Sequence, residues 1–372
     1  MRRRLAALGL AAVLLLAGCW DARSLDQRAF VIMLGIDTTS GGRFRVTMQM
    51  QRAGYEQQRK GTAGGMNAAR VVASDGDTLR QAVERVRDDL SRELDTTFLD
   101  VLVLSREVAT ERMEELDWIV RTFRIPISSF VVVTPGEAEA VVRAKATGHP
   151  MPAQFALFAL MQGSWTRSPA IVQGFMWMVF NRNWFTPLED PFAPVLSTTE
   201  GQLSWHGLAV FRGHRLAGML SEQDASTFNM LLGGRAERTL TADLPGGGKA
   251  TLYLQTAKVK RWVTWEQGGP VIHVRIRTQG DLQELIHYHA HTEQEEIVIE
   301  SALSRQLEKE VRMLMKDMQQ LDSDPIGFGE LARQAAPYRR EVQSGEAWKK
   351  VYREARIDVR AGVTMIAPGY MK

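Results

Sequence analysis

One cysteine narrows the chemistry open to this chain of 372 residues. Cys19 stands in Leu16-Ala17-Gly18-Cys19-Trp20-Asp21, at the end of a short apolar run. Arg2, Arg3 and Arg4 precede that run, and Leu5 to Ala17 form an apolar stretch of signal-peptide length. Such a stretch is too short for a spanning helix of about 20 residues. Small residues before a cysteine fit a lipobox, with cleavage between Gly18 and Cys19. The Cys19 sulfur would carry a diacylglyceryl thioether and its freed amine an N-acyl chain. An uncleaved anchor with an incidental cysteine is the alternative, and the flanks and length fit a signal better. A lone cysteine also excludes intrachain disulfides, CxxC redox chemistry and Cys-rich zinc sites.

The second group that could do chemistry is His287, His289 and His291 in HYHAH, with His273 upstream. On a strand, alternate residues share a face, so three imidazoles could point one way and hold a zinc ion with a water. Same-face Cβ atoms along one strand lie about 7 Å apart, however, so three successive ligands converge poorly on one ion. Exposed strand-edge histidines are the simpler reading, and no metal is expected. Glu293, Glu295, Glu296 and Glu300 resemble acid–base machinery, but they open a long helix, where the dipole favours negative charge. No Gly-rich nucleotide loop, GxSxG elbow, HExxH pair or EF-hand spacing is present. Gly327-Phe328-Gly329 has no Lys or Ser/Thr partner for a phosphate and reads as close backbone packing.

The composition says what must position these groups. Charged residues make up 24% and hydrophobic residues 45%, as in folded, soluble proteins. The three N-terminal arginines supply the whole formal charge of +3. From Cys19 onward the chain is balanced, with no bulk electrostatic reason to bind nucleic acid or an anionic bilayer. Membrane attachment would then come from the lipid. The length suggests two or three domains.

Residues 1–18 read as the signal peptide and 19–147 as an N-terminal α/β domain. There, Ala29 to Asp37 and the alternating Phe44 to Gln51 form a hairpin, and Gln57 to Gly65 a loop. Strands at 69–73, 98–104 and 130–134 alternate with helical stripes, one carried by Leu79, Val83, Val86 and Leu90. A second stripe runs through Met113, Leu116, Ile119, Val120 and Phe123, and an alanine-rich helix ends near Ala146. Caps for the first helix are expected within Ser74 to Asp77.

Residues 148–202 hold the aromatic-rich runs Phe155 to Met161 and Ile171 to Phe180 and a connector with Pro187, Pro191 and Pro194. This segment reads as buried helices and a possible small middle domain. A surface for an integral-membrane partner is the other reading. Residues 203–372 read as an α+β domain, with short strands, a helix after Ser221, and antiparallel strands at 251–259, 271–277 and 282–289. A long helix follows, broken at Asp324-Pro325, then a helix near 347–354 and a last strand at 357–366. The fold class is α+β (mixed α/β) and multi-domain, with a mixed N-terminal sheet and an antiparallel sheet plus long helix at the C-terminus.

Two ends of the chain resemble one family, the C-subunit lipoproteins of spore nutrient germinant receptors, the Ger(x)C family. GCWDARSLDQRAFVIMLGID (Gly18 to Asp37) looks like its lipobox, Trp-Asp and strand ending Gly-Ile-Asp. GLAVFRGHRLAGML (Gly207 to Leu220), Leu282 with Glu284, DPIGFGE (Asp324 to Glu330), Pro337, Trp348 and Tyr352 follow in the family's order. Ser24 departs from a common acidic residue, Asp26 from Asn and Tyr352 from Phe, and HYHAH is no family hallmark. The resemblance implies a lipid-anchored, non-enzymatic subunit of three α/β-type domains, without a cofactor beyond its lipid. It implies work with integral-membrane partners on the outer face of the spore inner membrane, in nutrient-triggered germination. A solute-binding lipoprotein that captures the nutrient itself is the alternative, and would favour two similar lobes around a cleft.

Overall fold

A computed structural model describes residues 27–51, 69–123, 125–145, 187–233, 237–289 and 292–366, with Ala153, Ala156, Gly174, Val179 and Phe180 between. The lipobox, the loop expected at 57–65, nearly all of both aromatic runs and His291 lie outside the described residues.

The N-terminal hairpin forms as its alternation requires: β1 (Arg28–Thr38) pairs antiparallel with β2 (Phe44–Gln51), which pairs with β3 (Ala69–Gly76). Strand β3 runs to Gly76, so the residues expected as caps lie in the strand or just after it. Thr78 caps α1 (Leu79–Asp88) instead, its hydroxyl accepting from the Gln81 N–H. Leu79, Val83 and Val86 are buried as the stripe required. The short β4 (Glu93–Asp95) and β5 (Val101–Ser105) both run parallel to β1.

The second stripe is not one helix. Past α2 (Arg106–Glu111), it is split between a 3-10 turn (Met113–Leu116) and α3 (Asp117–Thr122). Then come β6 (Phe130–Thr134), parallel to β5, and α4 (Ala138–Arg143). Next, β7 (Phe192–Thr199), β8 (Gln202–Arg212) and β9 (Arg215–Leu220) extend the same sheet. Among the described residues its order is β3-β2-β1-β5-β6-β7-β8-β9, with β4 beside β1.

The boundary expected at 203 therefore falls inside a continuous sheet, and β8 is the reason. Its alternating side chains serve two cores: Ala209 and Phe211 belong to the N-terminal core that β1 and α1 also line, while Leu208 and Val210 belong to the core of the C-terminal half. One strand is a wall common to both.

Beyond it, α5 (Glu222–Leu231) starts with a Ser221–Asp224 capping box. A four-stranded sheet follows: β10 (Arg238–Asp243), β11 (Lys249–Glu266), β12 (Gly269–Ile286) and β13 (Arg356–Met365). The runs expected at 271–277 and 282–289 are one strand of 18 residues, β12. Antiparallel pairing holds from β10 to β12, but β13 is parallel to β12. The chain returns through α6 (Glu293–Gln320), α7 (Phe328–Ala335) and α8 (Gly345–Tyr352), and this long crossover brings the last strand back in the direction of β12.

Helix α6 begins with a second capping box, Thr292 with Glu295. It also covers the open edge of β13. Glu300, Ser304 and Glu308, one turn apart, accept from the backbone N–H groups of Met365, Val363 and Ala361 at 2.9, 3.0 and 2.9 Å. A strand edge without such partners invites pairing with another chain. Glu300 and Glu308 thus serve as backbone acceptors. No described helix is long and apolar enough to cross a membrane.

Candidate functional site

Of the residues that the sequence singled out for chemistry, Gly18, Cys19 and His291 lie outside the described residues. His287 and His289 lie past the end of β12 at Ile286, and His287 has a left-handed φ of 50°. The alternation that would aim the imidazoles to one side stops before the first of them. Among the described residues no group of His, Cys, Asp or Glu could hold a metal ion. His273 lies on β12, where it stacks on Trp262 at 4.9 Å and meets Asp358 on β13 through Nδ1 at 3.0 Å. Asp358 also takes Arg275 at 2.7 Å, which holds its carboxyl below the usual carboxylate range.

The two stretches that carry the family resemblance build two buried carboxylate sites. Strand β1 ends in Gly35-Ile36-Asp37. A Cβ on Gly35 would lie 2.9 Å from the Val142 side chain and 3.2 Å from that of Ala138, so the glycine lets α4 press onto the strand. Asp37 then takes the N–H groups of Ala138 and Glu139 at 2.6 and 2.8 Å. Burial pushes its carboxyl up to about 6, against the pull of those two donors.

The second site is Asp324, in the break after α6. Its Oδ1 accepts from the N–H groups of Gly327 and Phe328, both at 3.0 Å. Its Oδ2 accepts from the Gly329 N–H at 2.7 Å and the Trp348 indole N–H at 2.9 Å. Gly327 turns the chain with φ 81°, open to glycine at little cost. A Cβ on Gly329 would meet the Leu188 carbonyl at 2.6 Å and the Trp348 ring at 2.7 Å, which confirms close backbone packing here.

Asp190, just before β7, completes the site. Its backbone N–H donates to the Asp324 carbonyl at 3.0 Å, and its carboxylate accepts from the backbone N–H of Asp324 at 2.9 Å. The same carboxylate takes the Gly213 N–H, in the β8–β9 turn, at 2.8 Å and the Lys349 ammonium at 3.0 Å. Ser323 donates to the Phe211 carbonyl at 2.6 Å. Asp322 pairs with Arg353 and, at 3.3 Å, with Arg212.

The nine-stranded sheet and the C-terminal helices are therefore bolted together around Asp190 and Asp324. The joint is sealed: Asp190, Asp324 and Trp348 are 3%, 1% and 1% exposed. Every acceptor pair within it faces a donor of the chain, so what it does chemically is hold two halves in one register. Asp190 and Lys349 carried no local signal, because their partners lie far off in sequence. Tyr352 fills the same core with its ring, and its buried hydroxyl has no partner among the described residues. A phenylalanine would serve as well there.

Burial pushes Asp324 up to about 7, with the Gly329, Phe328 and Trp348 donors opposing it. An aspartate raised in the folded state binds its proton there while the unfolded chain, near 3.9, has lost it. Its contribution to stability is full below about pH 4, falls as pH rises, and is gone above about 7. Chemical denaturation from pH 4 to 8 checks this: the stability of the native chain relative to Asp324→Asn should decline across that window. Carboxylates held low by arginines, such as Asp75 and Asp358, act only on the acid side. A difference that is flat from pH 4 to 8 would contradict the assignment.

Comparison with known proteins gives the chain its relatives. Residues 21–198 match the family described as "Spore germination protein N-terminal domain", and residues 206–369 match "Spore germination B3/ GerAC like, C-terminal". Spore germination protein KC of Bacillus subtilis (strain 168) is 25% identical over 390 residues, covering 96% of this chain and 93% of its own. Spore germination protein GerQC of Bacillus cereus is 22% identical over 358 residues, covering 95% and 96%. The crystal structure of the GerBC protein shares the fold, with a TM-score of 0.55 at 17% identity, over 90% of this chain and 97% of that one.

Proposed function

The chain belongs to the spore germination B3/GerAC family, and from that premise we propose that it is the lipid-anchored, non-catalytic subunit of a germinant receptor complex. The observation that carries this reading is the pairing of two features. Family resemblance runs through both halves, and a lipobox with Cys19 precedes the first of them. Acyl chains on Cys19 would hold the protein on the outer face of the spore inner membrane, beside integral-membrane subunits of the complex. Each buried CH₂ contributes about 0.8 kcal/mol, and two or three chains make attachment stable. Retention at the surface raises the effective concentration of the partners for each other. The sealed joint suits such a role, because a body with its halves locked together can pass a displacement from one end to the other.

A solute-binding lipoprotein would favour two similar lobes. The two sheets here differ in size, order and strand direction, and give that alternative no support.

Replacing Cys19 by Ala tests the proposal. The variant is expected in the soluble fraction of spore lysates, and nutrient-triggered germination, followed as the fall in optical density, is expected to be lost. Normal germination with a soluble variant protein would overturn the anchor's part in the function.

A further inference from the structure

Strands β1, β5 and β6 run parallel, so their starting ends lie along one edge of the sheet. The chain enters β1 at this edge. The loops that lead into β5 and β6 are laced to it: the Asp100 N–H donates to the Ile32 carbonyl at 3.0 Å and the Phe130 N–H to the Asp100 carbonyl at 2.8 Å. Ser129 adds its hydroxyl to the Leu99 carbonyl at 2.5 Å.

On these braced turns stand two large apolar side chains that the core does not use. Phe98 is 61% exposed and Ile127 is 69% exposed. Phe30 of β1 lies edge-on to Phe98, with ring centroids 5.3 Å apart, and backs it from below. The polar residues beside them in the chain, Thr97 and Ser128, are exposed, as are Arg92 and Glu93 a few positions earlier.

We propose that this edge rests on the lipid surface, with Phe98 and Ile127 inserted at the level of the headgroups. The inference builds on the Cys19 anchor and adds an orientation to it. Gln27, the first described residue, is only eight positions after Cys19, a reach of at most about 28 Å when fully extended. The edge from which that short tether departs is the part of the fold held nearest the acyl chains. Two side chains on two turns make far too small a patch for a protein interface of roughly 800 Å² per partner. They suit shallow insertion, where apolar tips enter and a polar rim stays in water.

The single cysteine makes the test direct, because acylation would consume its thiol. A cysteine introduced at Ser128, or at the 95% exposed Tyr338 of the C-terminal half as a control, is then the one site open to a maleimide dye. The full acylated chain is reconstituted alone in phosphatidylglycerol–phosphatidylethanolamine vesicles that carry nitroxide-labelled acyl chains. The dye at Ser128→Cys is expected to shift to the blue and be quenched several-fold more than the dye at Tyr338→Cys. Adding Phe98→Ser and Ile127→Ser, both at exposed positions, should remove that excess while the protein stays on the vesicles.

A water-exposed dye at Ser128→Cys on membrane-bound protein would overturn the proposal. So would a blue shift that needs the integral-membrane subunits, which would place a protein on this edge. If the chain is recovered soluble with Cys19 itself labelled, the anchor reading has failed, and the orientation falls with it.

Discussion

Replacing Asp324 by Ala is expected to cost the fold about 3–5 kcal/mol, because it leaves four buried N–H donors without their acceptor. The carboxylate receives three backbone N–H groups and the indole N–H of Trp348, all sealed from water. Each donor left without an acceptor costs about 1–3 kcal/mol, and the turn can relax to recover only part of the sum. Asp324→Asn keeps one acceptor oxygen but turns an amide toward donors, so its cost should be smaller than that of Ala. Urea unfolding followed by tryptophan fluorescence reads both. The backbone N–H and C=O of Asp324 that hold Asp190 survive in the Ala variant, but the turn that fixes their position loses its side-chain acceptor, so β8 should loosen from the C-terminal helices. Faster amide exchange at Gly213, well away from the mutated residue, would report this. A cost below 1 kcal/mol would mean that the joint is held by apolar packing alone.

Trp348→Ala is expected to be of similar size, about 3–5 kcal/mol, because a large ring leaves a cavity where the surroundings cannot close. Trp348 is 1% exposed, packs on Gly329 and stands 5.7 Å from the Tyr352 ring. Trp348→Phe fills most of the space and loses the indole N–H, so about 1–2 kcal/mol should remain. The two residues touch, and their effects should not add. A double-mutant cycle between Asp324→Asn and Trp348→Phe, read in urea, should give a coupling of about 0.5–3 kcal/mol. Simple additivity would show that the bond between them is structurally idle.

Local periodicity carried most of the architecture. The β1–β2 hairpin, the α1 stripe, the α5 cap and the long α6 were legible because each is written in residues within a few positions of one another. The single β12 was not. Its interruption at Thr278 to Asp281 reads as a turn, and pairing with the equally long β11 on one side and with the end of β13 on the other keeps it extended. Nor was the direction of β13, since a strand's residues record which face is buried and not which way its neighbour runs.

The site divides in the same way. Asp324 and the Gly327-Phe328-Gly329 turn were visible as a helix break and a close-packed segment. Asp190 and Lys349 were not, because a partner 134 residues away leaves no trace in local pattern. The histidine cluster shows the reverse error. Alternation in HYHAH was a true feature of the letters, but the strand ends at Ile286, before the first of these histidines.

The place of β1 in its sheet has a mechanical meaning. It is not an edge strand: β2 lies on one side and β5 on the other, β4 pairs with its first three residues, and the tether would join its first residue. A pull from the membrane along that tether runs down the strand axis and loads the flanking hydrogen bonds together, in shear. An edge strand pulled across its length would instead open one bond at a time, like a zip. Lateral drag on an anchored molecule is thus taken up by the whole N-terminal sheet. Through β8 and the Asp190–Asp324 joint, the load then passes to the C-terminal half.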